Sequence, residues 1–219
     1  MPLSEHAAHV ARLSALDLYS SIHAQKGFKA VETHNFQGIR LNVYRGMSDP
    51  ASDDKVGGVR QALAKLIPLG LDLPDTFDIY TSDKKDFVNV AFQRSMDGER
   101  KASIGLGGKL TNPMELPIGI ATMKAGTQST LNFCAAVCVH EIGHVLHEIA
   151  DAEFFWSAAA NEATPGHLGG QVSMYAGNNI KEFVAEVFTA LVYGDQFNQQ
   201  VMTAYAGYHG PTGALFPPA

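Results

Sequence analysis

A five-residue segment, His140-Glu141-Ile142-Gly143-His144, has the residue types and spacing that suit metal-dependent hydrolysis. In a helix, side chains four positions apart lie on one face, so both imidazoles can point at one ion. Glu141 would project beside that ion and could accept a proton from a bound water. Two imidazoles and an open position for water favour zinc. A helix with two ordinary histidines is the alternative, so the segment needs support from elsewhere in the chain.

A third protein ligand is needed, and the sequence limits where it can lie. The position six residues after His144 is Ala150, which excludes the metzincin pattern of a third histidine there. Asp151 is one candidate ligand. Glu182 and Glu186 are better candidates, because they lie one helical turn apart in an apolar segment, where a carboxylate needs a partner or a metal. Glu182 as ligand and Glu186 as acceptor for the free N–H of a ligand histidine would meet that need. A solvated acidic helix face is the alternative.

The two motifs together resemble the gluzincin arrangement of zinc peptidases, in which a ligand glutamate follows on a later helix. The nearer resemblance is to the anthrax lethal factor type and to related bacterial toxin and effector domains, in which a tyrosine lies seven residues before that glutamate. Here Tyr175-Ala176 precedes Glu182-Phe183-Val184-Ala185-Glu186 with the same offset, and the resemblance covers about residues 133–192. It implies that the metal ligands are His140, His144 and Glu182 and that the general base is Glu141. It also implies that Tyr175 donates to the oxyanion and that Glu186 orients the first zinc histidine.

The resemblance implies a zinc endopeptidase that acts on a protein or peptide substrate through a metal-activated water. It also implies a bacterial toxin or effector setting, in which a cognate inhibitor or immunity protein would be a partner. Two other functions stay open, namely hydrolysis of a non-peptide amide and an inactive metal-binding interaction module. A structural zinc site would use four protein ligands and would need neither Glu141 nor Tyr175.

Length and composition indicate one folded domain over residues 1–219, since 46% of the residues are hydrophobic. The formal net charge is −6, and no basic stripe suited to nucleic acid is visible. No apolar run approaches the length of a membrane span. The N-terminus lacks the basic start and apolar run of a cleavable signal, which predicts a cytoplasmic protein or an effector delivered without one.

Cysteines and further histidines lie near the motif. Cys134 and Cys138 are four apart in a predicted helix, and we expect buried core thiols rather than a disulfide or zinc ligands. His147 adds a third histidine to that helix, and His167 lies in the connection after it. We expect ordinary, non-ligand roles for both.

Hydrophobic periodicity predicts an α+β domain of zincin-like architecture, with a small, mostly antiparallel sheet packed on the zinc-binding helix and a later ligand helix. We expect the N-terminal helices and sheet in residues 1–122 and the zinc-binding helical part in 123–219, with 151–170 as a wall of the cleft. Glycines in 103–107 predict a sheet edge on which a substrate peptide would lie. Helices are predicted over residues 5–25, 56–66, 130–149 and 181–193, and strands over 39–45, 77–81, 87–92, 102–106 and 116–122.

Overall fold

Strands dominate the first half of the described chain and helices the second half. The computed structural model describes residues 29–46, 49, 51–83, 88–94, 98–111 and 129–213. The strands are β1 (Lys29–Phe36), β2 (Ile39–Arg45), β3 (Thr76–Thr81), β4 (Val88–Arg94) and β5 (Arg100–Leu106). The α-helices in these ranges are α1 (Ser52–Leu66), α2 (Thr130–Ala150), α3 (Ala152–Phe155), α4 (Gly166–Val172), α5 (Ile180–Val192) and α6 (Gln199–Gly207). The α+β class is therefore confirmed, while the helix predicted over 5–25 and the strand predicted over 116–122 lie outside the described residues.

The strands form one mixed sheet in the order β1-β2-β3-β5-β4. The outer pairs β1–β2 and β4–β5 are antiparallel, whereas β2–β3 and β3–β5 are parallel. The prediction of a mostly antiparallel sheet is therefore wrong. Helix α1 connects β2 to β3, and a strand–helix–strand crossover returns the chain to the same end of the sheet, which makes the two strands parallel.

The segment predicted to be a substrate-binding sheet edge, residues 103–107, lies mostly in β5 and is internal. Strand β5 pairs with β3 on one side and β4 on the other, so its backbone groups are engaged along both sides. Ser103 and Ile104 are buried. Within the described sheet the edge strands are β1 and β4, and the edge prediction is wrong because small residues also suit a crowded sheet interior.

A tight two-residue turn joins β1 and β2. Its residues Gln37 and Gly38 have φ values of 52° and 92°, and two positive φ values are the signature of a turn that matches the twist of a hairpin. The Gly38 N–H donates to Oδ1 of Asn35 at 3.0 Å. Strand β1 was not predicted, since Thr33 and Asn35 are exposed and polar and the strand lies at an edge.

Close packing between α1 and α2 fixes the motif helix against the core. At Gly58 an added β-carbon would lie only 2.6 Å from Cβ of Cys134, so glycine permits the approach. Cys134 and Cys138 are free and buried, as predicted. The face of α1 in this core is apolar at helical spacing, through Val56, Val59, Leu63 and Leu66.

Helix α2 is long and apolar because most of it is core. Ser129 begins it as N-cap, accepting a hydrogen bond from the Asn132 N–H at 3.1 Å. By length and composition its segment Leu131–Ala150 would suffice to cross a membrane, but 78% of the apolar window is buried inside the protein. A core position explains the same composition.

Candidate metal centre

The two motif histidines lie side by side on α2. Their ring centroids are 4.9 Å apart with the planes at 85°, so the edge of one ring faces the other. The His140 side chain is 2% exposed and that of His144 is 12% exposed. His140 is therefore enclosed by the core, and His144 lies nearer to solvent.

Helix α5 reaches the motif because Gly143 has no side chain. A β-carbon added there would lie 3.0 Å from Cδ1 of Phe188 and 3.5 Å from Cα of Ala185. The third residue of α5 is Glu182, whose N–H is capped by Oδ1 of Asn179 at 3.0 Å. Close helix packing and this cap together place Glu182 opposite the histidines.

The Glu182 carboxylate meets both imidazoles. Its Oε2 lies 3.1 Å from Nε2 of His140 and 3.4 Å from Nε2 of His144. One ligand atom from each of the three residues lies within 4.8 Å of the others, so the group could hold a metal ion. The donor types suit a divalent cation, since two imidazoles and a carboxylate combine nitrogen and oxygen ligands with one negative charge.

Positive charge is favoured at this group. Burial opposes a charge on His140, but Glu182 and Glu186 raise its pKa well above the usual value. Burial would likewise raise the pKa of Glu182, yet the contacts with His140 and His144 hold it far below the ordinary range. Two carboxylates that converge on one buried imidazole require a compensating cation, which a proton or a metal ion can provide.

Glu186 lies behind His140. Its carboxylate is 2% exposed, and its Oε1 lies 2.9 Å from Nδ1 of His140. These two atoms are at ion-pair distance, although the ring N–H is not aligned as a hydrogen bond. The other oxygen, Oε2, accepts a hydrogen bond from the Ser173 hydroxyl at 2.8 Å. Ser173 was not singled out from the sequence, because a lone serine before a turn gives no signal of a buried partner 13 residues away.

Tyr175 stands beside His140 on a short 3-10 turn, Tyr175–Gly177. The two ring centroids are 5.9 Å apart. The turn rests on α4, where a β-carbon at Gly169 would lie 2.7 Å from Cα of Gly177. Burial raises the pKa of Tyr175, and the carboxylates of the site raise it further, so the hydroxyl stays a proton donor.

Glu141 follows His140 on α2 and is partly buried. Burial raises the pKa of this carboxyl, and His140 and His144 partly offset the effect. Glu141 and Glu182 thus have pKa values displaced in opposite directions. Such a pair suits two roles, a proton acceptor and a permanently ionised ligand.

No family model, curated protein or solved structure matches this chain. The likeness to gluzincins therefore rests on the two motifs.

Other predicted candidates lie outside the metal group. Asp151 accepts a hydrogen bond from the Phe154 N–H at 2.9 Å and lies 3.3 Å from His209, so it caps α3. His147 is fully buried, and its Nε2–H donates to the Tyr208 carbonyl at 2.8 Å. His167 is exposed. The structure therefore gives each of these residues a place apart from His140, His144 and Glu182.

Part of the connection between α2 and α5 lies against the metal group. The Phe155 ring centroid is 6.5 Å from that of His144. The Lys181 ammonium lies 4.5 Å from the Phe155 centroid and 5.0 Å from that of Trp156, in cation–π contact with both rings. The connection predicted over residues 151–170 contains α3 and the beginning of α4. Through Phe155, α3 places an aromatic ring beside His144.

Proposed function

We propose that this protein is a zinc-dependent endopeptidase with a zincin-like fold and a gluzincin site. The observation that carries the proposal is the position of Glu182, whose Oε2 lies within 3.4 Å of Nε2 of both histidines of the His-Glu-x-x-His helix. Tyr175 and Glu186 both flank His140, which supports the roles that the resemblance assigns to them.

The distances from Glu182 to the two imidazoles suit a bound zinc ion. Tetrahedral ligands at ~2.0–2.1 Å from zinc lie roughly 3.3 Å from one another. The Glu182 carboxylate oxygen lies 3.1 and 3.4 Å from the two imidazole nitrogens. Three protein donors leave one position open, as in catalytic rather than structural zinc sites.

Each residue of the site has a separate role in the proposed hydrolysis. Zinc bound by His140, His144 and Glu182 would supply Lewis acidity toward a water and a carbonyl. Glu141 accepts the proton of the attacking water and passes it to the leaving amine, a transfer that its raised pKa assists. The Tyr175 hydroxyl donates a hydrogen bond to the developing oxyanion.

A peptide is the proposed substrate class, and an amide other than a peptide is the alternative. The combination of Glu141 and Tyr175 beside three ligands favours catalysis over a purely structural metal module. The toxin or effector setting and the cognate inhibitor stay predictions that follow from the resemblance, and the localisation stays a prediction.

The proposal is tested by digestion of a broad peptide library with zinc-loaded wild type, with Glu141→Gln and with Glu153→Gln as control. Glu153 is an exposed carboxylate of α3. We expect cleavage by wild type and Glu153→Gln, and a loss of at least about 100-fold in Glu141→Gln with zinc still bound. Full activity of Glu141→Gln would contradict the assignment of the base. Zinc binding without cleavage of any peptide would instead favour one of the two alternative functions, a small-amide hydrolase or an inactive metal-binding module.

A further inference from the structure

We propose that Ser173 is a positioning residue that links the orienting carboxylate Glu186 to the turn carrying Tyr175. The inference rests on the proposed function, because it assigns Ser173 a task in that metal-dependent site. The relevant contacts are all short: Ser173 to Glu186, Ser173 to Ala176, and Glu186 to His140.

The Ser173 hydroxyl has both of its hydrogen-bonding capacities engaged. It donates its one proton to Oε2 of Glu186 at 2.8 Å. Its oxygen accepts a hydrogen bond from the Ala176 N–H at 3.0 Å. The residue is 4% exposed, and its own N–H donates to the Gly169 carbonyl at 3.0 Å. A hydroxyl fixed from both sides and excluded from water holds its two partners at a set separation.

On one side this hydroxyl determines the orientation of Glu186. Among the described residues, Ser173 provides the one hydrogen bond to that carboxylate, since Oε1 has none. With Oε2 held by Ser173, Oε1 faces Nδ1 of His140 at 2.9 Å. A carboxylate at this distance from Nδ1 attracts the ring N–H of a metal-ligating histidine and so limits rotation of the ring. Without the hydroxyl, a buried carboxylate would lose a partner and could rotate away from His140.

On the other side the hydroxyl fixes the Tyr175 turn. Ala176 directly follows Tyr175, and its N–H is the group that Ser173 binds. The Tyr175 ring stands 5.9 Å from that of His140. One serine therefore couples the orientation of a metal ligand to the position of the oxyanion donor, and its loss should affect metal affinity and turnover together.

A matched control exists in the same chain. The Ser157 hydroxyl also accepts the N–H three residues later, from Ala160 at 3.3 Å, but among the described residues it is Ser173 and not Ser157 that is hydrogen-bonded to Glu186. Ser157→Ala thus removes the same type of turn contact without the carboxylate bond. A difference between Ser173→Ala and Ser157→Ala reports the bond to Glu186.

The experiment measures the zinc Kd by chelator competition, and kcat and KM on a cleaved peptide, for both serine variants. We expect Ser173→Ala to weaken zinc binding and lower kcat by about 10–100-fold with KM nearly unchanged, and Ser157→Ala to stay within about twofold of wild type. The effect of Ser173→Ala on the zinc Kd should largely disappear in a Glu186→Gln background, because Ser173 acts on the metal ligand through the charge of that carboxylate. Equal behaviour of the two serine variants, or full additivity with Glu186→Gln, would overturn the inference.

A second variant covers a failure of Ser173→Ala to fold. Ser173→Thr retains the hydroxyl, so a folded variant with the zinc Kd of wild type supports the role. A folded Ser173→Thr with zinc affinity as weak as that of Glu186→Gln contradicts it. Failure of wild type to bind zinc would instead refute the proposed function, which distinguishes the two claims.

Discussion

The carboxylate oxygen Oε2 of Glu182 lies 3.1 Å from Nε2 of His140, although 42 positions separate the two residues. Helix packing creates this contact, since Gly143 lets α5 approach α2 to van der Waals distance. The Asn179 cap then begins α5 at the position that turns Glu182 toward the histidines. The site thus depends on the α2–α5 interface as much as on its own polar residues.

Tyr175 is expected to matter for turnover and not for metal binding. Its hydroxyl stays protonated because burial and the nearby carboxylates raise its pKa. Tyr175→Phe should lower kcat by about 10²–10³-fold, the usual cost of one oxyanion donor, with KM and the zinc Kd nearly unchanged. Steady-state kinetics with the cleaved peptide measure this. Tyr44→Phe, in strand β2, serves as control, and an unchanged kcat in Tyr175→Phe would remove the tyrosine from the mechanism.

His147 should make the metal-free protein less stable in acid. Burial lowers its pKa from 6.5 to about 4, the Tyr208 carbonyl partly offsets this, and His144, His209 and Lys181 lower it further. His147 therefore binds a proton below pH 6.5 in the unfolded chain but only near pH 4 in the folded protein. The contribution of neutral His147 to the free energy of unfolding is therefore complete above pH 6.5 and is lost as the pH falls from 6.5 to about 4.

Urea unfolding of the metal-free protein at pH 7 and pH 4.5 measures this loss. His147→Gln keeps an N–H donor but does not titrate, so wild type should lose ~2–3 kcal/mol more than this variant between the two pH values. The exposed His167 provides the control, since His167→Gln should follow wild type. Parallel losses in wild type and His147→Gln would show that His147 titrates normally in the folded protein.

Gly58 is expected to tolerate no side chain. A β-carbon there would lie 2.6 Å from Cβ of Cys134 and 2.9 Å from its carbonyl carbon, so α1 and α2 would have to separate. Gly58→Ala should lower the free energy of unfolding by about 1–3 kcal/mol, even though alanine favours a helix by about 1 kcal/mol. Gly170→Ala, with nothing within 4 Å of the added carbon, is the control in urea unfolding. A Gly58→Ala protein as stable as wild type would contradict the packing described.

Local patterns predicted the elements well where one face is apolar. The predicted strand over 39–45 coincides with β2, because Leu41 and Val43 alternate with polar neighbours. The helix around the motif differs by one residue at its end, where Ala150 is still helical. The sequence patterns did not predict strand β1, because its residues are polar at a sheet edge. They did not predict helix α6 either, because it buries only Val201 and Tyr205.

Long-range relationships were harder to predict. The sequence contained a strand, a helix and a second strand in succession, which already favoured the parallel β2–β3 pairing, but the short alternating runs suggested hairpins instead. Helical spacing placed His140 with His144, and Glu182 with Glu186, each on one face. Helical spacing could not reveal Ser173, because its proposed role depends on a contact between the end of α4 and Glu186 of α5.

Zinc content after dialysis against excess zinc tests the central claim most directly, measured by elemental analysis of wild type, Glu182→Gln and the control Glu153→Gln. A site of three protein ligands predicts about one zinc per chain in wild type and control. Once unbound zinc has been dialysed away, Glu182→Gln should retain less than about a tenth of that, because loss of an outer-shell partner alone costs roughly 10–100-fold in affinity and Glu182 is itself a ligand. Wild type without zinc, or Glu182→Gln with its full complement, would contradict the account.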